Sequence, residues 1–372
     1  MKINTSILSR LVLIPVFALI AAVSWPSSSS MAADVSFKGK TITIWMPSKS
    51  VGIRLFLEMW SGYISKNLPG NPKIIVKGKP GGGGLVGVNF LYNAVKPDGL
   101  AMGYAATPAM IGYATNARGV KFDPNKMPVL GIQRQNWVAL YGKAAGIKGP
   151  FDVKNASGEL TFAARTKNHL TMATQLVMDA AGVKFRIIEG FGPPSTMFQA
   201  MGSGEVKMAY TSLPGYVRVT DNLNSLQIYP FYQYGDIDDK GNVTRDKNFP
   251  NVPTAVELYE KFNPKGIGSD DHKAVKTAVR IVAVNRTFWL PPKTDQKIVD
   301  IWRHAVESAA NDPELRSKYR KKFGAPFKFG NWKQALKTIK SSIAALDTPY
   351  FQPGGKGFKL MYRGKKKGKK KK

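Results

Sequence analysis

The sequence has no cysteine and only three histidines in 372 residues. Without thiols there is no disulfide, no thiolate nucleophile, no thiolate metal site and no lipid attached through cysteine. His169, His272 and His304 fall in separate predicted elements, with no metal-ligand spacing between them. Acidic residues are also scarce, 24 against 55 Lys and Arg, for a formal net charge of +31. No G-x-S-x-G elbow occurs, and no S-x-x-K stands in the company of a β-lactamase-like site. So thin an active-site inventory points to a binding protein without catalysis, cofactor or metal.

What is present begins at the N-terminus. Lys2 and Arg10 flank a positive region, "LVLIPVFALIAAVSW" (11–25) supplies an apolar core, and "PSSSSMAAD" offers a cut after Ala32 or Ala33. This is the pattern of a secretory signal peptide over residues 1–33, with an apolar run too short to serve readily as a membrane span. Export makes a bacterial periplasm the expected address, where free ATP and NAD are scarce. No later segment of the sequence is long and apolar enough to cross a membrane. Losing Lys2 and Arg10 takes the charge from +31 to +29, and discounting the seven lysines of "GKKKGKKKK" (364–372) leaves +22. That excess favours anionic ligands or surfaces. The basic residues are not interleaved with stacking aromatics, so no specific nucleic-acid site is expected. Contact of the tail with an anionic envelope surface is a secondary expectation.

Strand-like and helix-like runs alternate through most of the chain. "TITIWM" (41–46) leads into "IRLFLEMWSGYI" (53–64), "KIIV" (73–76) into 85–95, and "LTFAAR" (160–165) into "HLTMATQLVMDAAG" (169–182). "FRIIEG" (185–190) and "VKMAYTS" (206–212) are further strands. The pattern predicts an α/β fold with mainly parallel sheets flanked by helices, and ligands at the loops beyond the strands' carboxyl ends. The last third reads as amphipathic helices at 294–310, 312–324 and 331–346, with Asn311 or Asp312 as a cap before Pro313 and Gly324 as a stop.

The stretch "KGKPGGGGLVG" (77–87) contains a literal G-x-G-x-x-G between a strand-like and a helix-like run. A dinucleotide site also needs an acid about twenty residues on, at the end of the next strand. Asp98 lies in a "PDG" turn before a strand, and Thr107 and Pro108 offer no carboxylate. The glycines are therefore assigned to a tight turn.

Four segments taken in order carry a family likeness: "LPGNPKIIVKGKPGGGGLVGVNFLYNAVKPDGLAMG" (68–103), "GFGPPSTMFQAMGSGEVKMAY" (190–210), "FPNVPTAVEL" (249–258) and "WLPPKTDQKIVDIWRHAVESAANDPELRSKY" (289–319). The chain from about 40 to 346 resembles the substrate-binding receptors of tripartite tricarboxylate transporters, the Bug-type periplasmic solute-binding proteins. The resemblance implies a two-lobed, type II-like periplasmic binding protein, monomeric, with the ligand cleft between lobes. It implies lobe one from 34–134 and 232–350, lobe two from 135–231, and a basic, disordered tail at 351–372. The chain would cross between lobes near 133–136 and 228–233. The implied function is capture of a small organic carboxylate and its delivery to the transporter's membrane subunits. A sensor of the same fold acting with a signalling partner is the alternative, and a secreted hydrolase a weaker one.

Carried over by position, the resemblance places Ser48, Lys49, Ser50 and Arg54 in the leading loop of lobe one, with Gly83 and Gly84 in the glycine turn. It places Thr107 and Thr211 just beyond strands, and Arg165, Thr166, Lys167, Asn168 and His169 at a loop-to-helix junction of lobe two. Phe191, Pro193, Ser195 and Thr196 form the partner loop. The chain departs from the family where Arg54 stands for an aspartate and Glu58 for an arginine. An i, i+4 pair between Arg54 and Glu58 is the plainer expectation, and a ligand contact by Arg54 or Lys49 the sharper one.

Overall fold

The structure, a computed structural model, describes residues 35–361 except Ala117, 165–168, Pro193, Asp239 and Asn285. The predicted leader, Arg165, Thr166, Lys167, Asn168, Pro193 and the final lysine run lie outside the described residues.

The first strand shows how local pattern becomes position. In β1 (Thr41–Met46) Ile42, Ile44 and Met46 are buried and alternate with more exposed residues, the period of a pleated strand. The following α1 (Val51–Asn67) turns Phe56, Leu57, Trp60, Tyr63 and Ile64 inward at helical spacing. Next come β2 (Lys73–Gly78), α2 (Leu85–Ala94), β3 (Ala101–Ala106), α3 (Thr107–Ala114) and β4 (Val129–Arg134). A second sheet starts with β5 (Trp137–Gly142). It continues through β6 (Leu160–Ala163), α4 (His169–Ala180), β7 (Phe185–Ile188), α5 (Pro194–Gly202), β8 (Met208–Ser212), α6 (Leu213–Arg218), α7 (Thr220–Ser225) and β9 (Ile228–Gln233).

A small hairpin, β10 (Asp236–Ile237) with β11 (Val243–Thr244), then leads to α8 (Ala255–Phe262) and α9 (Asp270–Ala283). The chain re-enters the first sheet at β12 (Arg286–Trp289). It ends with α10 (Gln296–Asn311), α11 (Pro313–Phe323), β13 (Lys328–Asn331), α12 (Trp332–Leu346) and α13 (Lys356–Met361).

The first sheet runs β13-β4-β12-β3-β1-β2, and the second β7-β6-β8-β5-β9. β1, β2 and β3 are parallel, whereas β12 is antiparallel to both its neighbours and β13 to β4. β6 is parallel to β7 and β8, while β5 is antiparallel to β8 and β9. With two residues intervening after β4, Trp137 pairs with Ser212 at the carboxyl end of β8. The crossing therefore joins the carboxyl ends of the parallel strands of both sheets, where α/β sheets bind ligands.

Helices α1 and α10 cover one face of the first sheet around Trp60, Phe288 and Trp302, and α2, α3 and α12 the other around Leu91, Ile132 and Trp289. The core on the α4 side of the second sheet, with Phe162, Leu176 and Tyr210, continues through Leu258, Val275 and Val279 of α8 and α9. α9 packs on both α4 and α12. The next strand of the first sheet after β9 is β12, reached once α8 and α9 have packed beside α4 and α12.

Residues 351–361, expected to begin a disordered tail, are folded. Phe351, Leu360 and Met361 are buried, and Lys356 of α13 reaches Asp271 at 2.7 Å and Asp179 at 3.7 Å. Those apolar residues, diluted by glycine and lysine in the sequence, anchor the segment.

Candidate ligand site

The rim of the first sheet is built from the turn after β1. Ser50 caps α1, its Oγ accepting from the Ile53 N–H at 3.4 Å, and Ser48 Oγ accepts from the Ser50 N–H at 3.4 Å. The first turn of α1 carries no acid, so its positive end is not neutralised locally. Lys49 is exposed beside it, with neither hydrogen bond nor ion pair to its side chain among the described residues. Arg54 is differently placed. Its Nη1 donates to the Val76 carbonyl at 2.9 Å and lies 3.5 Å from Glu58 Oε1. The i, i+4 pair forms, but with both side chains over 40% exposed it adds little stability.

The glycine turn explains why α2 can sit so close to this loop. Gly81, Gly82, Gly83 and Gly84 have φ of 140°, 54°, 67° and 101°, a succession only glycine adopts without strain. A Cβ on Gly87 would come within 2.9 Å of both the Lys79 carbonyl oxygen and Pro47 Cβ. The glycines thus hold α2 against the turn after β1. Thr107, at the start of α3, is buried and donates through Oγ1 to the Val284 carbonyl at 3.1 Å.

On the second rim, the Phe191 N–H donates to the Ala164 carbonyl at 3.2 Å, drawing the ends of β6 and β7 together. Ser195 and Thr196 stand exposed in the first turn of α5 and line a shallow groove with Phe191 and Gln199. Thr211 is buried on β8 opposite Val138, and His169 opens α4. The structure therefore brings Ser48, Lys49, Ser50, Arg54, Gly83 and Gly84 together on one rim. Phe191, Ser195 and Thr196 share the other.

Sequence reasoning expected crossings near 133–136 and 228–233 but named no residue that holds them together. Asn136 lies between β4 and β5; its Nδ2 donates to Gln233 Oε1 at 2.9 Å, and its Oδ1 accepts from the Trp137 and Gly235 N–H groups. Gln233 is fully buried and fully satisfied, accepting also from Asp246 N and donating to the Phe249 and Val252 carbonyls. Beside it, Lys328 of β13 sits 2.7 Å from both Asp236 and the buried Asp246. Burial pushes the Asp246 carboxyl up, but the Lys328 ammonium and Asn248 outweigh it and hold the group below its usual range. A cavity of about 290 Å³ opens next to this junction, between the crossing at Arg134 and Gln135, the β10–β11 hairpin, and the helices α9 and α12. None of the residues named from the sequence lines it.

Histidine chemistry is structural where it can be described. His272 is buried, its Nδ1 accepts from the Gly268 N–H at 2.9 Å, and its Nε2 meets Glu260 at 3.0 Å. Among the described residues no group of three or more His, Cys, Asp or Glu could hold a metal ion.

Two α/β sheets joined at the carboxyl ends of their parallel strands define the class: the chain has the fold of periplasmic solute-binding proteins. It is similar to a TctC solute binding protein from Polaromonas, with TM-score 0.59 and 16% identity over 84% of this chain and 99% of that one. A Rhodopseudomonas palustris protein solved with adipate aligns with TM-score 0.59 and 15% identity, covering 87% of this chain and 98% of its own. The periplasmic binding protein BugD aligns with TM-score 0.57 and 13% identity over 82% and 96%. No family model matches the chain, and no curated protein does.

Proposed function

We propose that this protein is a periplasmic solute-binding receptor that captures a small organic carboxylate and passes it to the membrane subunits of a tripartite tricarboxylate-type transporter. The observation that carries the proposal is the junction itself, where the carboxyl ends of both sheets' parallel strands face one another across the crossing. The likeness in fold to solute-binding proteins, one solved with adipate, supports the same reading. In this reading lobe one holds the first sheet and lobe two the second, and the ligand lies between their rims. Ser48, Lys49, Ser50, Gly83 and Gly84 act from one side, and the loops at 164–169 and 191–196 from the other, with Thr107 and Thr211 behind. The N-terminus of α1 and the ammonium of Lys49 stabilise the carboxylate without a side-chain base. Arg54 joins them by leaving the Val76 carbonyl. Closure is a hinge motion of the lobes.

Thermal denaturation of the mature chain with a panel of organic acids, malate and adipate included, tests this. A cognate acid at one hundred times its Kd stabilises the fold by about 2.7 kcal/mol and raises the melting temperature. Lys49→Ala should weaken that acid about tenfold or more, the effect of losing a charged hydrogen bond. No shift with any acid would overturn the proposal.

A further inference from the structure

The cavity beside the junction has its own chemistry. Arg134, at the end of β4, and Arg280, on α9, both line it and are only partly exposed. Neither guanidinium has a hydrogen bond or ion-pair partner among the described residues. Arg134 is also the direct cross-strand partner of Lys328, a like-charge pairing that costs stability unless something offsets it. Lys328 has Asp236 and Asp246 to offset its charge; Arg134 has no such partner among the described residues. The two acids that line the cavity are occupied elsewhere, Asp236 by Lys328 and Asp238 by the backbone and side-chain N–H groups of Asn242. Between the arginines, Gln135 lines the cavity with its Oε1 buried and unpaired, an orphaned polar atom of the kind native interiors avoid.

Two partly sheltered guanidinium groups with no partner among the described residues, and an unsatisfied amide, around about 290 Å³ are the makings of an anion pocket. We propose that this cavity is a second ligand site, distinct from the cleft rims, which takes a small organic dianion such as a dicarboxylate. Each arginine offers a fork of parallel N–H donors that fits a carboxylate. Gln135 pairs with the body of the ligand, accepting from a hydroxyl group or, with its amide turned over, donating to carboxylate oxygen. An occupant would touch Arg134 and Gln135 from the first crossing, Gly235 from the second, and Arg280 from α9. The site is therefore an effector site: its ligand ties together the segments between the two sheets, and its binding is coupled reciprocally to binding in the cleft.

Isothermal titration calorimetry on the mature chain, with malate and inorganic phosphate as separate probes, tests the inference. The wild type is compared with Arg134→Gln/Arg280→Gln, with Ser341→Trp, which plugs the cavity from its exposed α12 rim, and with Lys49→Ala, which alters the cleft. Malate binding that survives Lys49→Ala, falls at least tenfold in the double variant and falls again with Ser341→Trp is the expected result. Ser341→Trp leaves both arginines in place, so it keeps the test valid if the double variant folds poorly. Malate binding lost in Lys49→Ala but retained by both cavity variants would overturn this inference and leave the proposed receptor function standing. Arginine-dependent binding of phosphate without malate would overturn the organic class of the ligand.

Discussion

Lys328 and Arg134 face each other across the β13–β4 ladder, and their charges are handled in opposite ways. Lys328 lies between two carboxylates at 2.7 Å, and the other oxygen of the fully buried one, Asp246, accepts from Asn248. Arg134 borders an open cavity, with no carboxylate assigned to it among the described residues. A charge completely paired within the chain is part of the fold. A charge left sheltered and unpaired costs the fold something, and is retained more reasonably for what it can bind.

The largest expected effect comes from breaking the paired side. Lys328→Met leaves Asp246 buried without its cation and should cost about 3 kcal/mol in urea denaturation. Asp246→Asn tests the same pair through pH. Because the folded carboxyl is held below its usual range, its stabilising contribution is complete above the unfolded value of about 3.9 and is lost as pH falls through the folded one. The stability gap between wild type and Asp246→Asn should therefore be widest near neutrality and close in acid; a gap independent of pH would remove Asp246 from the account. Asp236→Asn should cost only about 1 kcal/mol by the same urea measurement, since that carboxylate is 35% exposed and water can replace it. The smallest effect sharpens the contrast most. Arg134→Gln should change stability by no more than about 0.5 kcal/mol, and in the stabilising direction if relief of the repulsion from Lys328 dominates.

Legibility in the sequence followed the range of the interactions concerned. β1, α1 and the helices of the last third were readable because alternation, helical spacing and caps are encoded within a few residues. Of the two expected caps it is Asp312 that serves α11, accepting from the Leu315 N–H, and Gly324 ends the helix at φ 73° as expected. The glycine turn was readable as a turn, while its purpose needed the contact of Gly87 with Pro47 and Lys79. The packing partners of α9 were not readable. Val275, Ala278, Val279 and Val282 make an ordinary amphipathic face, and nothing local says that it lies against α4. The cavity was hidden for the same reason: Arg134 and Arg280 are far apart in the chain, and only the tertiary fold sets them around one space. Among the residues proposed for the cleft, nothing in the sequence says that Arg54 spends its guanidinium on the Val76 carbonyl, 22 residues away.

The Asn136–Gln233 bond has a kinematic consequence. Two strands passing separately between two bodies would permit bending, twisting and sliding, each strand deforming in its own way. Here a buried amide pair fastens one strand to the other at 2.9 Å, and Gln233 has no group left to exchange for water. In the proposed hinge closure the pair would act as a pin, leaving rotation about a single axis as the cheapest relative movement of the lobes.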